Sequence, residues 1–186
     1  MKMIVLTGGP GAGKTAALEM AKIRFGDKVS VLPEAATILF RGGFPRGNSA
    51  LAKEAAQRSI YYIQRELERL GMEESKGQVL LCDRGTVDGL AYWFRKPEEF
   101  WSEVGSNLAQ EYQKYFMVIH LRTPTLENGY NHHNPYRVET ALEARIIDEK
   151  IALAWKSHPQ VITIDSESDF LNKVTRVMEI LAKEIS

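Results

Sequence analysis

A glycine-rich octet near the N-terminus constrains this chain more than any other feature of its sequence. It directly follows the apolar run 3–7 and reads Gly8-Gly9-Pro10-Gly11-Ala12-Gly13-Lys14-Thr15. The octet, called the glycine loop below, fits the pattern G-x-x-x-x-G-K-[ST], which requires a strand before it and a helix after it. Residues 15–25 have the composition of that helix, and Gly26 marks its end. The sequence therefore predicts a strand-to-helix turn whose backbone N–H groups face an anion.

Each residue type in the glycine loop has a part in phosphate chemistry. Glycines let successive N–H groups curl around phosphate oxygens, and the helix N-terminus adds the positive end of its dipole. We expect Lys14 to reach the β- and γ-phosphates of ATP and the Thr15 hydroxyl to ligate Mg²⁺. The residues expected to contact ATP are Gly9, Pro10, Gly11, Ala12, Gly13, Lys14, Thr15, Ala16 and Arg122. A glycine-rich turn that binds nothing is the alternative, and the complete register of strand, loop and helix argues against it.

Apolar runs of strand length alternate with helical patterns along the chain. The runs cover residues 3–7, 28–32, 78–82, 116–121 and 161–164. The first, third and fourth are nearly continuous hydrophobics, as in parallel strands covered on both faces. The predicted helices cover residues 15–25, 49–70, 139–155 and 169–185, and Gly71 is the expected C-cap of the second. This alternation predicts a doubly wound α/β sheet in one domain, residues 1–186.

Composition and charge narrow the classes of protein that fit. The chain is 44% hydrophobic and 26% charged, which excludes intrinsic disorder, and no stretch reaches the roughly 18 apolar residues of a membrane span. Lys plus Arg and Asp plus Glu are 24 each. The resulting net charge of zero argues against broad nucleic-acid binding. The lone Cys82 excludes an internal disulfide, and no secretory segment is recognisable, so we expect a cytoplasmic protein.

Two acidic residues stand at the ends of predicted strands. Asp83 closes the third strand, where an acid beside the glycine loop holds Mg²⁺ or its water. Glu34 follows the second strand, and ligands gather at the carboxyl ends of strands in a doubly wound sheet. Glu34 is therefore a candidate general base for an acceptor hydroxyl. The alternative is that Glu34 lies in the first turn of the next helix, where the helix dipole stabilises its negative charge.

Two arginines follow predicted strands directly. Arg84 comes after Asp83 and either neutralises charge on phosphate or acceptor or forms a structural ion pair with Asp88. Arg122 comes after the fourth strand. Both positions lie at the carboxyl edge of the sheet, where we expect the nucleotide.

Two further arginines flank a loop-rich stretch, residues 123–136. Arg137 and Arg145 lie eight residues apart, just over two helical turns. We expect Arg137, where the loop rejoins a helix, to close over the γ-phosphate as an arginine finger. Arg145 either joins it or pairs with Asp148 or Glu149 on the helix surface.

The order of these motifs resembles P-loop kinases of the nucleoside and nucleotide kinase group. The pattern is most similar to bacterial proteins described as AAA-type ATPases and related to the nicotinamide riboside kinase domain. The matching segments are the glycine loop, Pro33-Glu34-Ala35, Asp83-Arg84-Gly85, Leu121-Arg122-Thr123-Pro124 and Arg137-Val138-Glu139. The resemblance implies a P-loop NTPase fold with a five-stranded parallel sheet of order 2-3-1-4-5. It also implies helices on both faces and a small lid over about residues 123–145.

The same resemblance implies roles for individual residues. Glu34 would be the acceptor-side carboxylate, Asp83 and Arg84 the acid–arginine pair of deoxynucleoside and thymidylate kinases, and Arg137 the lid arginine. ATP and Mg²⁺ are the implied cofactors. The second helical domain and sensor motifs of a ring ATPase are absent from the sequence, which argues against a remodelling machine.

Three functions fit the sequence. The first is a phosphotransferase that moves the γ-phosphoryl of Mg-ATP to a small, nucleoside- or nucleotide-like acceptor. The second is a nucleotide-dependent switch or NTPase whose output is the binding of a protein partner. The third is a kinase for polynucleotide ends, against which the zero net charge argues.

Overall fold

A five-stranded parallel sheet runs through the centre of the computed structural model, which describes residues 1–124, 140–165 and 170–185. The strands are β1 (Lys2–Thr7), β2 (Val29–Leu32), β3 (Val79–Asp83), β4 (Met117–Leu121) and β5 (Val161–Ile164). Their order is β2-β3-β1-β4-β5, and all four neighbouring pairs are parallel. The strand order implied by the resemblance is confirmed. Arg137 and most of the expected lid lie outside the described residues.

Helices connect the strands. They are α1 (Lys14–Phe25), α2 (Ala35–Arg41), α3 (Ala50–Glu74), α4 (Pro97–Val104), α5 (Leu108–Gln113), α6 (Ala141–Trp155) and α7 (Phe170–Glu184). Short 3₁₀ helices span Gly26–Lys28 and Thr86–Ala91. No helix in the described ranges is long and apolar enough to cross a membrane.

Both faces of the sheet are buried, each in its own hydrophobic cluster. Ile4 and Leu6 of β1 join the cluster that contains α1 and α7, whereas Val5 joins the opposite cluster with Phe100 and Trp155. Because successive strand residues point to opposite faces, a strand covered on both sides must be apolar throughout. This is the physical reason for the continuous hydrophobic runs of β1, β3 and β4.

The prediction that Gly71 ends the second helix is wrong. Helix α3 begins after its Ser49 cap and continues through Gly71 to Glu74. A Cβ at Gly71 would lie 2.9 Å from the Leu80 side chain. The glycine therefore allows the helix to cross close to the sheet, and this demand outweighs its low helix propensity.

Candidate active site

The glycine loop joins the carboxyl end of β1 to the start of α1. Gly8, Gly11 and Gly13 have positive φ angles of 140°, 79° and 99°, and Gly13 caps α1, which begins at Lys14. A Cβ at Gly8 would lie 2.1 Å from the Leu121 carbonyl oxygen. The loop thus passes so close to β4 that only glycine fits at its first position. Helix α1 starts directly at the end of the loop, and the Thr15 and Ala16 side chains in its first turn are exposed to solvent.

Lys14 folds back onto the glycine loop and is buried. Its Nζ donates to the carbonyl oxygens of Gly8, at 2.8 Å, and Gly9, at 3.1 Å. Burial, followed by the positive charge of Arg84, lowers the pKa of Lys14 to about 8. An ammonium carries three donors, so one remains for an oxygen outside the loop.

Asp83 lies at the end of β3, in register with Leu6 of β1. Burial is the main reason that its pKa rises to about 6, with Glu34 adding to the rise and Lys14 opposing it. Its Oδ1 atom is enclosed and has no hydrogen-bond partner in the described part of the chain. A buried carboxylate oxygen without a partner is costly unless something else binds it. A hard cation such as Mg²⁺ fits this oxygen.

Glu34 and Arg84 form an ion pair across the ends of β2 and β3. Arg84 Nε donates to Glu34 Oε1 at 2.8 Å, and the Thr37 hydroxyl donates to Glu34 Oε2. Burial alone would raise the pKa of Glu34, but Arg84 and Thr37 outweigh it and lower that pKa to about 2. Glu34 is therefore an ionised acceptor of hydrogen bonds and a weak proton acceptor.

Arg84 is held in an unusual backbone conformation. Its φ of 71° is the only positive φ of a non-glycine residue in the described ranges. Its N–H donates to the Leu6 carbonyl at 3.1 Å, and its own carbonyl accepts from Gln64 Nε2 at 3.1 Å. These bonds stabilise a strained turn that directs the guanidinium toward Glu34, and strain of this kind is typical of functional sites.

Asp88 stabilises the turn at Arg84 and Gly85 through hydrogen bonds to three other groups. Its carboxylate accepts hydrogen bonds from the Thr7 hydroxyl, the Gly85 N–H and Trp155 Nε1. Arg84 Nη1 lies 3.6 Å from Asp88 Oδ1, so Arg84 stands between two carboxylates. The ion pair with Asp88, one of the two alternatives for Arg84, is present, and a role toward phosphate or acceptor stays a prediction.

A second polar cluster, centred on Asp148 of α6, flanks the other side of the glycine loop. Asp148 Oδ1 accepts from the Gly9 N–H at 2.9 Å and lies 2.9 Å from His120 Nε2. Arg122 Nε lies 3.2 Å from Asp148 Oδ2, and Arg122 also pairs with Glu149. Burial raises the pKa of Asp148, but the His120 and Gly9 hydrogen bonds and the Arg122 charge lower it overall. Arg122 therefore lies beside the glycine loop, fastened by carboxylates.

The structure brings together most of the residues that the sequence predicts for the site. Lys14, Glu34, Asp83 and Arg84 are close enough to perturb one another electrostatically. Within the described residues, no ion pair joins Arg145 to Asp148 or Glu149. Three contributors were not predicted for the site: Asp88, Asp148 and Gln64. A buried, polar position on an amphipathic helix is the only signal that marks Asp148 and Gln64.

No group of three or more His, Cys, Asp or Glu in the described ranges is arranged to hold a metal ion by itself. Mg²⁺ is commonly held by one or two protein ligands together with substrate phosphates. Asp83 and Thr15 are the residues that fit this pattern here.

The chain matches proteins of known family and known fold. The sequence profile of the AAA domain family matches residues 3–172. A solved structure of thymidylate kinase from Candida albicans superposes with a TM-score of 0.65 at 18% identity, covering 100% of this chain and 93% of that one. No curated protein sequence matches. The superposition shows a P-loop kinase fold, and the chain belongs to the AAA domain family.

Proposed function

We propose that this chain is a phosphotransferase that moves the γ-phosphoryl group of Mg-ATP to a small, nucleoside- or nucleotide-like acceptor. One observation carries the proposal: Lys14, Glu34, Asp83 and Arg84 converge where the glycine loop leaves β1. A P-loop binding surface alone requires Lys14 and an acid such as Asp83. The half-buried Glu34–Arg84 pair goes beyond what a P-loop requires for binding phosphate and supplies groups for a second substrate.

Each residue has a role that follows from its charge and position. The N–H groups of the glycine loop bind the phosphates, and Lys14 donates its remaining N–H to a phosphate oxygen. Asp83 and Thr15 would hold Mg²⁺, which would neutralise negative charge on the phosphates. Arg84 balances negative charge at the acceptor, while Glu34 orients the acceptor through hydrogen bonds.

Two predicted ATP contacts lie beyond this core of the site. Arg122 stands beside the glycine loop, where its guanidinium supports the nucleotide from the α6 side. Arg137 stays a prediction of an arginine finger from the segment outside the described residues. Both act through charge, as phosphoryl transfer requires.

ADP production from Mg-ATP tests the proposal. The chain is assayed with and without pooled nucleosides, nucleotides and other small hydroxyl compounds, and ADP formation should depend on one pool. Lys14→Ala should abolish turnover and keep the far-ultraviolet circular dichroism of the wild type, because Lys14 is a binding group. Retained turnover in folded Lys14→Ala would contradict the assignment. Nucleotide binding without pool-dependent turnover would support the switch instead.

A further inference from the structure

Glu68 of α3 is a buried acid that has no part in the chemistry proposed above, and 3% of the residue is exposed. Burial raises its pKa to about 7, although hydrogen bonds from Tyr115 and Gln64 oppose the rise. Its Oε2 atom is enclosed and has no hydrogen-bond partner in the described part of the chain. An ionised carboxylate in this environment costs free energy of folding, because its desolvation is only partly compensated by hydrogen bonds. Stability therefore does not explain why an acid occupies this position.

One oxygen of Glu68 holds two groups that reach opposite ends of the turn from Arg84 to Thr86, called the arginine turn below. Glu68 Oε1 accepts from Gln64 Nε2 at 2.9 Å and from the Tyr115 hydroxyl at 2.7 Å. Gln64 Nε2 also donates to the Arg84 carbonyl at 3.1 Å. The Tyr115 hydroxyl accepts from the Thr86 N–H at 2.8 Å. Glu68 is thus linked to each end of the arginine turn through one side chain.

The hydrogen-bonding chemistry of these groups explains why an acceptor is needed at this point. An ionised carboxylate offers no donor, so Gln64 presents its NH₂ group to Glu68 and Tyr115 turns its hydroxyl hydrogen toward it. Both hydrogens of the Gln64 amide are then used, one on Glu68 and one on the Arg84 carbonyl. The Tyr115 oxygen keeps its lone pairs for a backbone N–H. A side chain without an acceptor would leave both orientations undetermined.

From this arrangement we infer that Glu68 is a positioning residue for Arg84. Its acceptor oxygen fixes Gln64 and Tyr115, which hold the arginine turn so that the guanidinium points at Glu34. The importance of this position for catalysis rests on the proposed phosphotransferase function. The position of the guanidinium itself does not depend on that function.

The conformation of Arg84 shows why its turn needs support. A φ of 71° is unfavourable for a residue with a side chain and persists only where the surroundings hold it. Arg84 Nε donates to Glu34 at 2.8 Å. Nη1 is enclosed and has no hydrogen-bond partner among the described residues. A change in the turn would redirect both nitrogens, and a misplacement of about 1 Å can lower a reaction rate about 100-fold.

Two substitutions at Glu68 separate its acceptor oxygen from its charge. Glu68→Gln and Glu68→Met both remove one negative charge and keep an unbranched side chain, but only glutamine keeps an oxygen that accepts hydrogen bonds. With the acceptor pool that supports turnover, Glu68→Met should lower kcat at least about tenfold while KM for Mg-ATP stays within about twofold. Glu68→Gln should keep kcat within about threefold of wild type.

The side-chain N–H of Arg84 provides a measurement that needs no turnover. In ¹H–¹⁵N NMR spectra its Nε–H resonance is identified by its loss in Arg84→Lys. In Glu68→Met this resonance should shift and exchange faster with solvent, because the bond to Glu34 depends on the arginine turn. In Glu68→Gln it should match wild type.

Two further variants keep the test decisive. Gln64→Met removes the next link and should reproduce both effects of Glu68→Met, also where Glu68→Met itself does not fold; combining the two should add little, because they break one connection. Val177→Ala is the control for lost stability, since Val177 is buried in the hydrophobic cluster on the opposite face of the sheet. It should lower the urea midpoint and leave kcat and the Arg84 resonance unchanged.

The outcomes separate the inference from the proposed function. A wild-type Arg84 resonance in folded Glu68→Met or Gln64→Met would overturn the inference and leave the phosphotransferase standing. Equal changes in Glu68→Gln and Glu68→Met would also overturn it, because the charge rather than the acceptor oxygen would then be responsible. Absence of turnover in the wild type would refute the phosphotransferase alone, and the Arg84 resonance would still decide the role of Glu68.

Discussion

Replacing Asp83 by asparagine should stabilise the protein while abolishing its Mg²⁺-dependent chemistry. Asp83 ends β3 with an enclosed Oδ1 that has no hydrogen-bond partner in the described part of the chain. An ionised carboxylate in that position costs free energy of folding, and the proposed role as a Mg²⁺ ligand gives a reason for that cost. Asn has the same shape without the charge.

The magnitude follows from the pKa of Asp83. Burial raises that pKa from 3.8 to about 6, and each pKa unit corresponds to about 1.36 kcal/mol. Asp83→Asn should therefore raise the free energy of unfolding by up to about 3 kcal/mol at pH 7.5. Because folding raises the pKa of Asp83, ionisation of this carboxyl destabilises the folded protein. The penalty is complete above pH 6 and disappears as the pH falls toward 4, where wild type and variant should converge.

Urea unfolding in EDTA at pH 4.5, 6.0 and 7.5 measures this difference directly. Asp88→Asn is the matched control, because the Asp88 carboxylate accepts from Thr7, Gly85 and Trp155 and its amide should destabilise the protein. Mg²⁺-dependent ADP production should be lost in Asp83→Asn. The reasoning is refuted if this variant is no more stable than wild type at pH 7.5, or if its advantage is the same at all three pH values.

Three further predictions concern the glycine loop and its supports. Between pH 7 and 9.5, the affinity for Mg-ATP, measured by calorimetry, should fall by up to about tenfold per pH unit above pH 8, because free Lys14 with a pKa of about 8 loses the proton that the phosphate requires; a flat profile over this range contradicts the prediction. Gly8→Ala should prevent nucleotide binding, since its Cβ would lie 2.1 Å from a carbonyl oxygen. Gly26→Ala, with nothing within 4 Å but a positive φ, should cost about 1–3 kcal/mol of unfolding free energy and bind normally. Asp148→Ala should lower the free energy of unfolding by about 3 kcal/mol, because it strips the acceptor from Gly9, His120 and Arg122; a loss below about 1 kcal/mol in urea titrations would show that the cluster is not structural.

Much of the fold and part of the candidate site can be predicted from local sequence patterns. The glycine loop needs the strand before it and the helix after it, and all three occupy consecutive residues. The continuous apolar runs of β1, β3 and β4 predict strands buried on both faces, as found. Strand-end positions likewise indicated Glu34, Asp83 and Arg84, because the carboxyl ends of parallel strands share one edge.

Helix faces were harder to predict because burial does not follow hydrophobicity at every position. In α6 the apolar Leu142 and Leu153 are 69% and 70% exposed, whereas the charged Asp148 is buried. In α3, Gln64 and Glu68 are buried, with Glu68 accepting from Tyr115 and from Gln64 itself. A buried charge is stable only with partners, and some of them, such as Tyr115 for Glu68, come from other segments.

The sequence by itself determined the glycine loop, the five strands and the acids that follow or end two of them. These depend on neighbouring residues, on backbone freedom at glycine and on the two-residue period of a strand. Only the tertiary structure decided how the charges are paired. Gly9 and Asp148 lie 139 residues apart, Thr7 and Asp88 lie 81 apart, and Glu34 and Arg84 lie 50 apart. Such pairings set the pKa of each group through distance and burial, and both exist only after the chain has folded.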